Sequence, residues 1–477
     1  STRIYPRVPF LNGFCLTVRR RLIDDIGCFD EARFGRGYGE EDDYAIRARK
    51  AGWVLAIADD VYIYHAQSRS YSHERRHVLS EAALRQLAKK HGRRRVARDV
   101  AICSQSRVLE GIRARSGVVL ERRGYSQRGR RQYAGRRVLF VLPVAMPGGG
   151  ANIVLSEATA MRRMGVDARV FNLREYRIDF ERAYPQLEVP IVYGAPSDLR
   201  TWASRYDAVI ATHNESVSWL QTISVSQGLP VLAYYVQGFE PLIYPRDSAE
   251  HRRAMQSYTA VPDLVRFVKT SWTADMVQQH TGACCVSVGP SFELDLFCPR
   301  LRQKPGWPQG PLRVAAMVRP ETAYRAPALT MAMLQEAVET YKHRVEVWFF
   351  GADTRSVAFR ALPSNFRWRS AGILSPRQAA RLLNEVDVFV DYSEHQAMGL
   401  TALEAMGCGA AVIVPQRGGA SSLVRDGVNG LVVDTDSEQD CWNALSLLIC
   451  DDELREELRR NAMHDVVRYH PQGAAFR

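Results

Sequence analysis

No run in this chain of 477 residues approaches the roughly 18 consecutive apolar residues of a membrane-spanning helix, and its first residues lack the pattern of a signal peptide. Neither a spanning helix nor export is therefore expected. Cysteine is sparse, with nine residues and none at a metal-ligand spacing. Cys284 and Cys285 are adjacent, and Cys15, Cys28 and Cys408 sit among apolar neighbours, so buried, reduced thiols in a cytoplasmic protein are expected. The G-x-G-x-x-G dinucleotide fingerprint is missing, because its third glycine would fall at Ile153. This disfavours a Rossmann oxidoreductase; NAD(P) bound on purification would revive it. No RNA-binding signature accompanies the arginine-rich stretches, so nucleic acid is not expected as a partner.

Among the features that are present, size comes first, since the length predicts about three domains. The hydrophobic fraction of 46% is ordinary for a globular protein. The net charge of +12 is unevenly spread: from Arg85 to Arg137, 17 Lys and Arg stand against Asp99, Glu110 and Glu121, a local charge of +14. The flanking domains are together near neutral. Helical stretches are expected near 78–91 and 104–115, and RRGYSQRGRRQYAGRR reads as a Gly- and Arg-rich linker. The segment 81–136 is thus expected to be a basic helical linker. It suits an anionic membrane surface, which attracts each basic residue by about 1 kcal/mol, or it is simply solvated.

The rest of the chain is organised around DVFVDYSEHQAMGLTALEAMGCGAAVIVP, residues 387–415. Residues 387–392 are β-branched and apolar and predict a strand buried on both faces. Gly399 opens a helix through 401–406, Gly407 and Gly409 stop it, and 410–414 is a second buried strand. This is the βαβ grammar of a parallel sheet, whose ligands sit beyond the carboxyl ends of the strands with phosphate at a helix N-terminus. Gln396 and Glu404 can then face one bound molecule. A nucleotide sugar fits, with its diphosphate on the amides near 398–401 and its ribose hydroxyls on Glu404.

The same residues resemble a family. QAMGLTALEAMGCG is similar to the paired-glutamate signature of family-4 glycosyltransferases, retaining enzymes of the two-Rossmann GT-B fold. The resemblance implies that Glu404 holds the ribose of the donor. Gln396 stands where the family has its first glutamate; it keeps a hydrogen-bonding carbonyl but loses the charge. Glu394 lies two residues earlier, out of register. Arg319 and Arg325 lie near where the family sets an Arg/Lys pair on the donor diphosphate, and Gly372 matches a position beside the base. Gly418 and Gly419, in the closing segment RGGASSLVRDGVNGLVVD, would bring amides to the phosphates. Together with YYVQGFEPLIYP (234–245) and MVRPETAYRAP (317–327), the signature resembles the family-4 enzymes that build bacterial polyrhamnose from dTDP-rhamnose, over about 140–460. The resemblance implies a nucleoside-diphosphate sugar donor, a glycan or lipid-linked glycan acceptor, and no cofactor for this part. Arg319, Arg325, the helix start at Gly399 and Leu400, and Gly418–Gly419 would stabilise charge developing on the leaving diphosphate.

The N-terminal Rossmann domain, on the acceptor side, is expected over 137–298. RVLFVLPV is a buried strand that runs into glycines 148–150 and a helix over 151–164, so Gly149 and Gly150 let the backbone approach a donor phosphate. Further strands are expected at 167–173, 207–212, 230–236 and 266–270, each ending on polar residues. Among these His213 is the candidate for contacting the transferred sugar. A proline-rich inter-domain linker is expected at 299–311. The donor-side Rossmann domain is expected over 312–477, with strands at 312–318 and 345–353, helices at 437–449 and 451–464, and no obvious final helix after 469.

Residues 1–80 predict a strand, a turn at Asn12–Gly13, a short helix ending near Gly27, and a helix with an acidic start and basic end in GYGEEDDYAIRARKAG. This segment resembles the C-terminal half of a family-2 glycosyltransferase of the GT-A fold. The resemblance implies that Glu41 is the general base, with Glu40 beside it, and that His65 helps hold a divalent metal, Mg or Mn, in a complete domain. The nucleotide-binding half and its Asp-x-Asp would precede Ser1, so the chain is expected to be a fragment of a longer, two-enzyme protein. The expected fold class is α/β: a GT-B pair of Rossmann-like domains with a cleft, plus a partial GT-A-like segment. A cytoplasmic glycosyltransferase, peripheral on the inner face of the membrane, is the function expected; a catalytically inactive glycan- or nucleotide-binding scaffold is the alternative, which the glutamine at 396 permits.

Overall fold

The computed structural model describes residues 3–34, 38–65, 73–223, 225, 230–303 and 309–477. The chain divides into two compact units, Ser1–Ser116 and Gly117–Arg477. Residues 66–72 of the expected N-terminal segment and 304–308 of the expected inter-domain linker lie outside the described residues.

In the first unit the helix Glu40–Lys50 carries four acids in its first turn and Arg47, Arg49 and Lys50 in its last, as the helix dipole favours. Asp43 on this helix is fully buried, which a carboxylate tolerates only when paired. Arg47 Nε reaches it at 2.8 Å, Lys90 Nζ at 2.6 Å and His91 Nε2 at 2.7 Å. Burial acts to raise the Asp43 carboxyl, but these three donors outweigh it and hold the group below the usual carboxylate range. Lys90 and His91 end the helix His73–His91, so part of the segment expected to be a linker is a structural member of this unit. The helix Arg93–Gln105 adds Asp99, buried and paired with Arg49 Nη1 at 2.7 Å. Leu87 and Val96 join Phe34 and Ile46 in one core, and Leu109 joins Val8, Leu22 and Tyr44 in another. The expected boundary at 80/81 is therefore corrected to 116/117. The expected first strand is corrected as well: among the described residues it is a single antiparallel bridge, Arg7 to Ala56. All nine cysteines are free thiols, but Cys15 and Cys28 are exposed rather than buried, standing at chain turns beside the short helix Arg20–Ile26.

The second unit holds two parallel sheets. The first comprises β1 (Arg137–Val141), β2 (Asp167–Leu173), β3 (Ile191–Gly194), β4 (Ala208–Ala211), β5 (Val231–Val236), β6 (Val265–Val268) and β7 (Val286–Ser287), in the order β3-β2-β1-β4-β5-β6-β7. The second comprises β8 (Leu312–Met317), β9 (Val345–Phe350), β10 (Arg369–Ser370), β11 (Val388–Val390), β12 (Ala411–Pro415) and β13 (Leu431–Val433), in the order β10-β9-β8-β11-β12-β13. Each sheet reverses its strand order once, between β1 and β4 and between β8 and β11. Such switch points open a crevice at the carboxyl ends of the strands. Leu139, Val141, Val209 and Tyr234 build the core of the first domain, and Val314, Ala316, Val388 and Ile413 that of the second.

Two further expectations are corrected here. RRGYSQRGRRQY is not a linker but most of the helix Val119–Tyr133, despite its two glycines. Gly129 is buried where a Cβ would run into the side chain of Met164, so the glycine allows the helix to lie close on the first Rossmann domain. Arg122 grips Asp295 with two hydrogen bonds of 3.1 and 2.7 Å. A final helix also exists, Pro471–Phe476, and it packs against the first domain rather than the second. Phe476 meets Tyr125 and Tyr133 with ring centroids 5.4 and 5.8 Å apart, and Arg128 lies 4.7 Å over the Tyr125 ring. The chain thus returns across the cleft and ties the two Rossmann domains together.

Candidate active site

Two adjoining cavities open where the switch points face each other. The smaller, about 200 Å³, is lined from the first domain by Gly149, Gly150, Tyr235, Gln237 and Lys269. From the second domain come Met317, Arg319, Arg325, Asp391 and the turn Gln396–Thr401. The larger, about 390 Å³, shares Ile153 and Leu400 with it and adds Asn152, Glu293, Arg377 and Glu404.

Gly149 opens the helix Gly149–Arg163 directly after the β1 loop, and a Cβ on Gly150 would occupy the place of the Gln237 side chain. Across the cleft, Gly399 has φ 71°, a left-handed conformation that suits glycine, and starts the helix Leu400–Cys408 with no side-chain cap. The first amides of that helix are therefore left for a ligand at the cavity that Gly399, Leu400 and Thr401 line. The helix runs on through Gly407, where the glycine pattern predicts a stop. Phe292 and Phe297 press against Gly407, and a side chain there would collide with them.

Arg319 and Arg325 follow β8 at its switch point. Neither has an ion-pair partner among the described residues, and the Arg325 Nε is buried without a hydrogen bond. Burial, and then the neighbouring charge of Arg325, lower the pKa of Arg319. Two guanidiniums crowded in this way hold a standing demand for an anion. Lys269, at the end of β6, adds a third cation, held by a buried ion pair to Glu157. Tyr235 donates to the same carboxylate at 3.1 Å, and Ser291 donates to it as well. Burial lowers the Lys269 pKa despite this partner.

Gln396 is 6% exposed, and its Nε2 donates to Asp391 Oδ2 at 2.7 Å and to Ser393 Oγ at 3.0 Å. Glu404, 8% exposed, faces the larger cavity one helical turn beyond Leu400, so the two signature positions line successive parts of one crevice. Burial alone raises the Glu404 carboxyl to about 8. Glu293 faces the same cavity and is also raised by burial, with Ser156 donating to it.

Six expected site residues are placed outside the two cavities. His213 lines neither cavity: its Nδ1 accepts from Glu215 N at 3.3 Å, capping the helix Asn214–Leu220, and its Nε2 lies 3.5 Å from Glu240 Oε2. In this arrangement the imidazole serves as a helix cap, with its side chain 40% exposed. Gly419 donates its amide to Gln396 O at 2.6 Å, and Gly418 pairs with Gln396 in a parallel bridge. These two glycines brace the Gln396 turn, and the Gly419 amide is spent on it. Gly372, with φ 69°, accepts from Gly351 N at 2.8 Å and lines neither cavity, though Ser375 to Arg377 just beyond it do line the larger one. In the first unit, Glu41 lines a separate pocket of about 260 Å³ and packs against Gly13, while His65 stacks on Phe14 with ring centroids 4.7 Å apart. Burial, then repulsion from Glu41 and Glu40, raises Asp42 to about 7, and burial raises Glu41. Among the described residues no group of three His, Cys, Asp or Glu side chains is placed to hold a metal.

Comparison with known proteins agrees with this geometry. Residues 369–465 match the family model of glycosyl transferases group 1. A D-inositol 3-phosphate glycosyltransferase of Acidothermus cellulolyticus is 28% identical over 236 residues, 46% of this chain and 48% of the relative. An N,N'-diacetylbacillosaminyl-diphospho-undecaprenol alpha-1,3-N-acetylgalactosaminyltransferase of Campylobacter jejuni is 33% identical over 88 residues, 18% of this chain and 23% of the relative. The chain thus spans less than half the length of these curated relatives. Among solved structures, HepE of Anabaena with UDP and glucose superimposes at TM-score 0.57 and 15% identity, covering 70% of this chain and 96% of that one. Sucrose-phosphate synthase of Thermosynechococcus elongatus superimposes at 0.56 and 14% identity, covering 71% and 96%. The second unit therefore has the two-Rossmann GT-B fold, and residues 369–465 within it carry a group 1 glycosyltransferase domain.

Proposed function

We propose that the chain moves a sugar from a nucleoside-diphosphate sugar to a growing cell-surface polysaccharide with retention of anomeric configuration, and that dTDP-rhamnose is the donor to test first. The observation that carries this reading is the pair Arg319 and Arg325, set at a switch point without carboxylate partners among the described residues and opposite an uncapped helix start at Gly399. Diphosphate oxygens satisfy both features. As the glycosidic bond breaks, negative charge grows on the β-phosphate, and fixed cations and amides stabilise it without reorganising. Glu404, beyond Leu400 in the larger cavity, takes the ribose hydroxyls, and the nucleobase lies toward Ser375–Arg377. The acceptor enters from the first-domain side, a glycan or lipid-linked glycan at the inner face of the cytoplasmic membrane; among the described residues no helix is long and apolar enough to cross it.

The first unit is read as the C-terminal part of a GT-A enzyme. Glu41 against Gly13 and His65 on Phe14 support that reading by lying around one turn. The inactive-scaffold alternative rests on Gln396 alone. Calorimetry with UDP, dTDP, UDP-glucose and dTDP-rhamnose tests the main reading, with R319Q/R325Q as control. Binding that the double variant abolishes is expected, with release of nucleoside diphosphate when an acceptor is added. Binding that survives in the double variant would remove the arginines from the site, and binding without any turnover would favour the scaffold.

A further inference from the structure

The glutamine at 396 leaves the crevice without the carboxylate that the signature leads one to expect, yet a carboxylate is present. Asp391 follows β11 at the switch point and lines the same cavity as Arg319 and Gly399. Its Oδ1 accepts from Ser393 N at 3.1 Å and from Ser393 Oγ at 2.5 Å, and its Oδ2 accepts from Gln396 Nε2 at 2.7 Å. All three donors are neutral, and among the described residues no cation pairs with it. Oδ2 keeps an acceptor site toward the cavity once Gln396 is served. Gln396 itself is fixed by the Ser393 hydroxyl and by the brace of Gly418 and Gly419 on its backbone. A glutamate at 396 would set a second carboxylate within hydrogen-bond distance of Asp391, where the two could not both ionise. Acid at 391 and amide at 396 thus form one matched set, in which the negative charge has moved along the chain.

We propose that Asp391 is the carboxylate that binds hydroxyls of the transferred sugar and sets which sugar is accepted, with Gln396 positioning it. The inference rests on the donor reading above, since it concerns the sugar end of the same crevice. A purely structural Asp391 would only close the turn onto Ser393 N, two residues on.

The test uses the full chain with D391N, Q396E and the exchange D391N/Q396E. Calorimetry with dTDP and UDP reads the diphosphate end, and with dTDP-rhamnose and UDP-glucose the sugar end as well. For D391N, unchanged affinity for the bare diphosphates and a loss of about tenfold or more for the nucleotide sugar are expected. Q396E is expected to lose nucleotide-sugar affinity likewise. The exchange restores one acid and one amide, and is expected to regain binding with an altered preference among sugars. Equal losses for diphosphates and nucleotide sugars in D391N would assign the residue to the turn, and an unchanged sugar profile in all three variants would overturn the proposal. If the wild-type chain binds neither diphosphate, the donor reading fails and this inference falls with it; if it binds them and the sugar end alone is indifferent, only the inference fails.

Discussion

Glu404 shows what a single residue can and cannot disclose. Its place in the signature was legible, and the structure sets it in the crevice; its protonation state was not legible, because that depends on burial. With its carboxyl raised to about 8 by desolvation, Glu404 is largely neutral at pH 7 before a ligand arrives. A charged acceptor for two ribose hydroxyls is favoured by those hydrogen bonds, so binding should lower the pKa and release a proton. Calorimetry in buffers of different ionisation enthalpy checks this, and a heat independent of buffer would sink it. Glu404→Ala should weaken nucleotide binding by about 1.5–3 kcal/mol for each charge-assisted bond lost. Stability gives a separate handle. As pH rises from 4.5, the ordinary glutamate value, toward about 8, the unfolded glutamate ionises while the folded one resists, so stability is lost over that window. The Tm advantage of Glu404→Gln over wild type should therefore be small below 4.5, grow up to about 8 and then level off; a gap independent of pH would return Glu404 to the ordinary carboxylate range. Asp391 and Lys269 were not legible for a different reason. An acid closing a strand and a lysine ending VRFVKTS look like ordinary strand termini until the two sheets face each other and both residues line one cavity.

At the scale of elements, β12 was legible from its β-branched run, whereas the helix Val119–Tyr133 was not. Glycine costs about 1 kcal/mol inside a helix, and two glycines among many arginines read as a linker. Close packing at Gly129 and the Arg122–Asp295 pair offset that cost, and both are tertiary facts. The cap made by His213 was hidden for the same kind of reason: a histidine after a strand serves equally as a ligand contact or a helix cap, and the bond from Glu215 N appears only in the fold. R122Q should lower Tm by removing a half-buried bidentate pair, worth about 1–3 kcal/mol, whereas R123Q, on an exposed position, should not. Equal shifts would mean that Arg122 acts only through net charge. The exposed arginines remain free to meet lipid. Liposome binding that requires anionic lipid and fades with salt is expected, because such attraction is screened beyond about 8–10 Å. Replacing Arg93, Arg94, Arg95, Arg123 and Arg131 by Gln should abolish it without touching the cleft; binding that persists in that variant, or occurs equally on neutral vesicles, would leave these arginines merely solvated.

At the scale of the molecule, the parallel-sheet α/β architecture was legible because buried strands alternate with helices, and the GT-B class came from the resemblance of QAMGLTALEAMGCG to the family-4 signature. The return of the chain onto the first domain was not, since Pro471–Phe476 is too short to show a helical period. That return matters for ligand response. The crevice takes Gly149, Gly150 and Lys269 from one Rossmann domain and Arg319, Asp391 and Leu400 from the other, and Thr270 Oγ1 already bonds Ala397 O across it at 2.8 Å. A donor held by both walls binds the closed, folded state, so at 100 times its dissociation constant it stabilises by about 2.7 kcal/mol. Protection should then appear on both sides at once. In hydrogen exchange, amides at 149–153 and at 400–404 should slow together when dTDP-rhamnose or UDP-glucose is added, while those of the helix Glu40–Lys50, which lines neither cavity, keep their rates. Slowing confined to 400–404 would mean that the donor rests on one domain alone, and that Lys269 and the paired glycines serve something other than the sugar nucleotide.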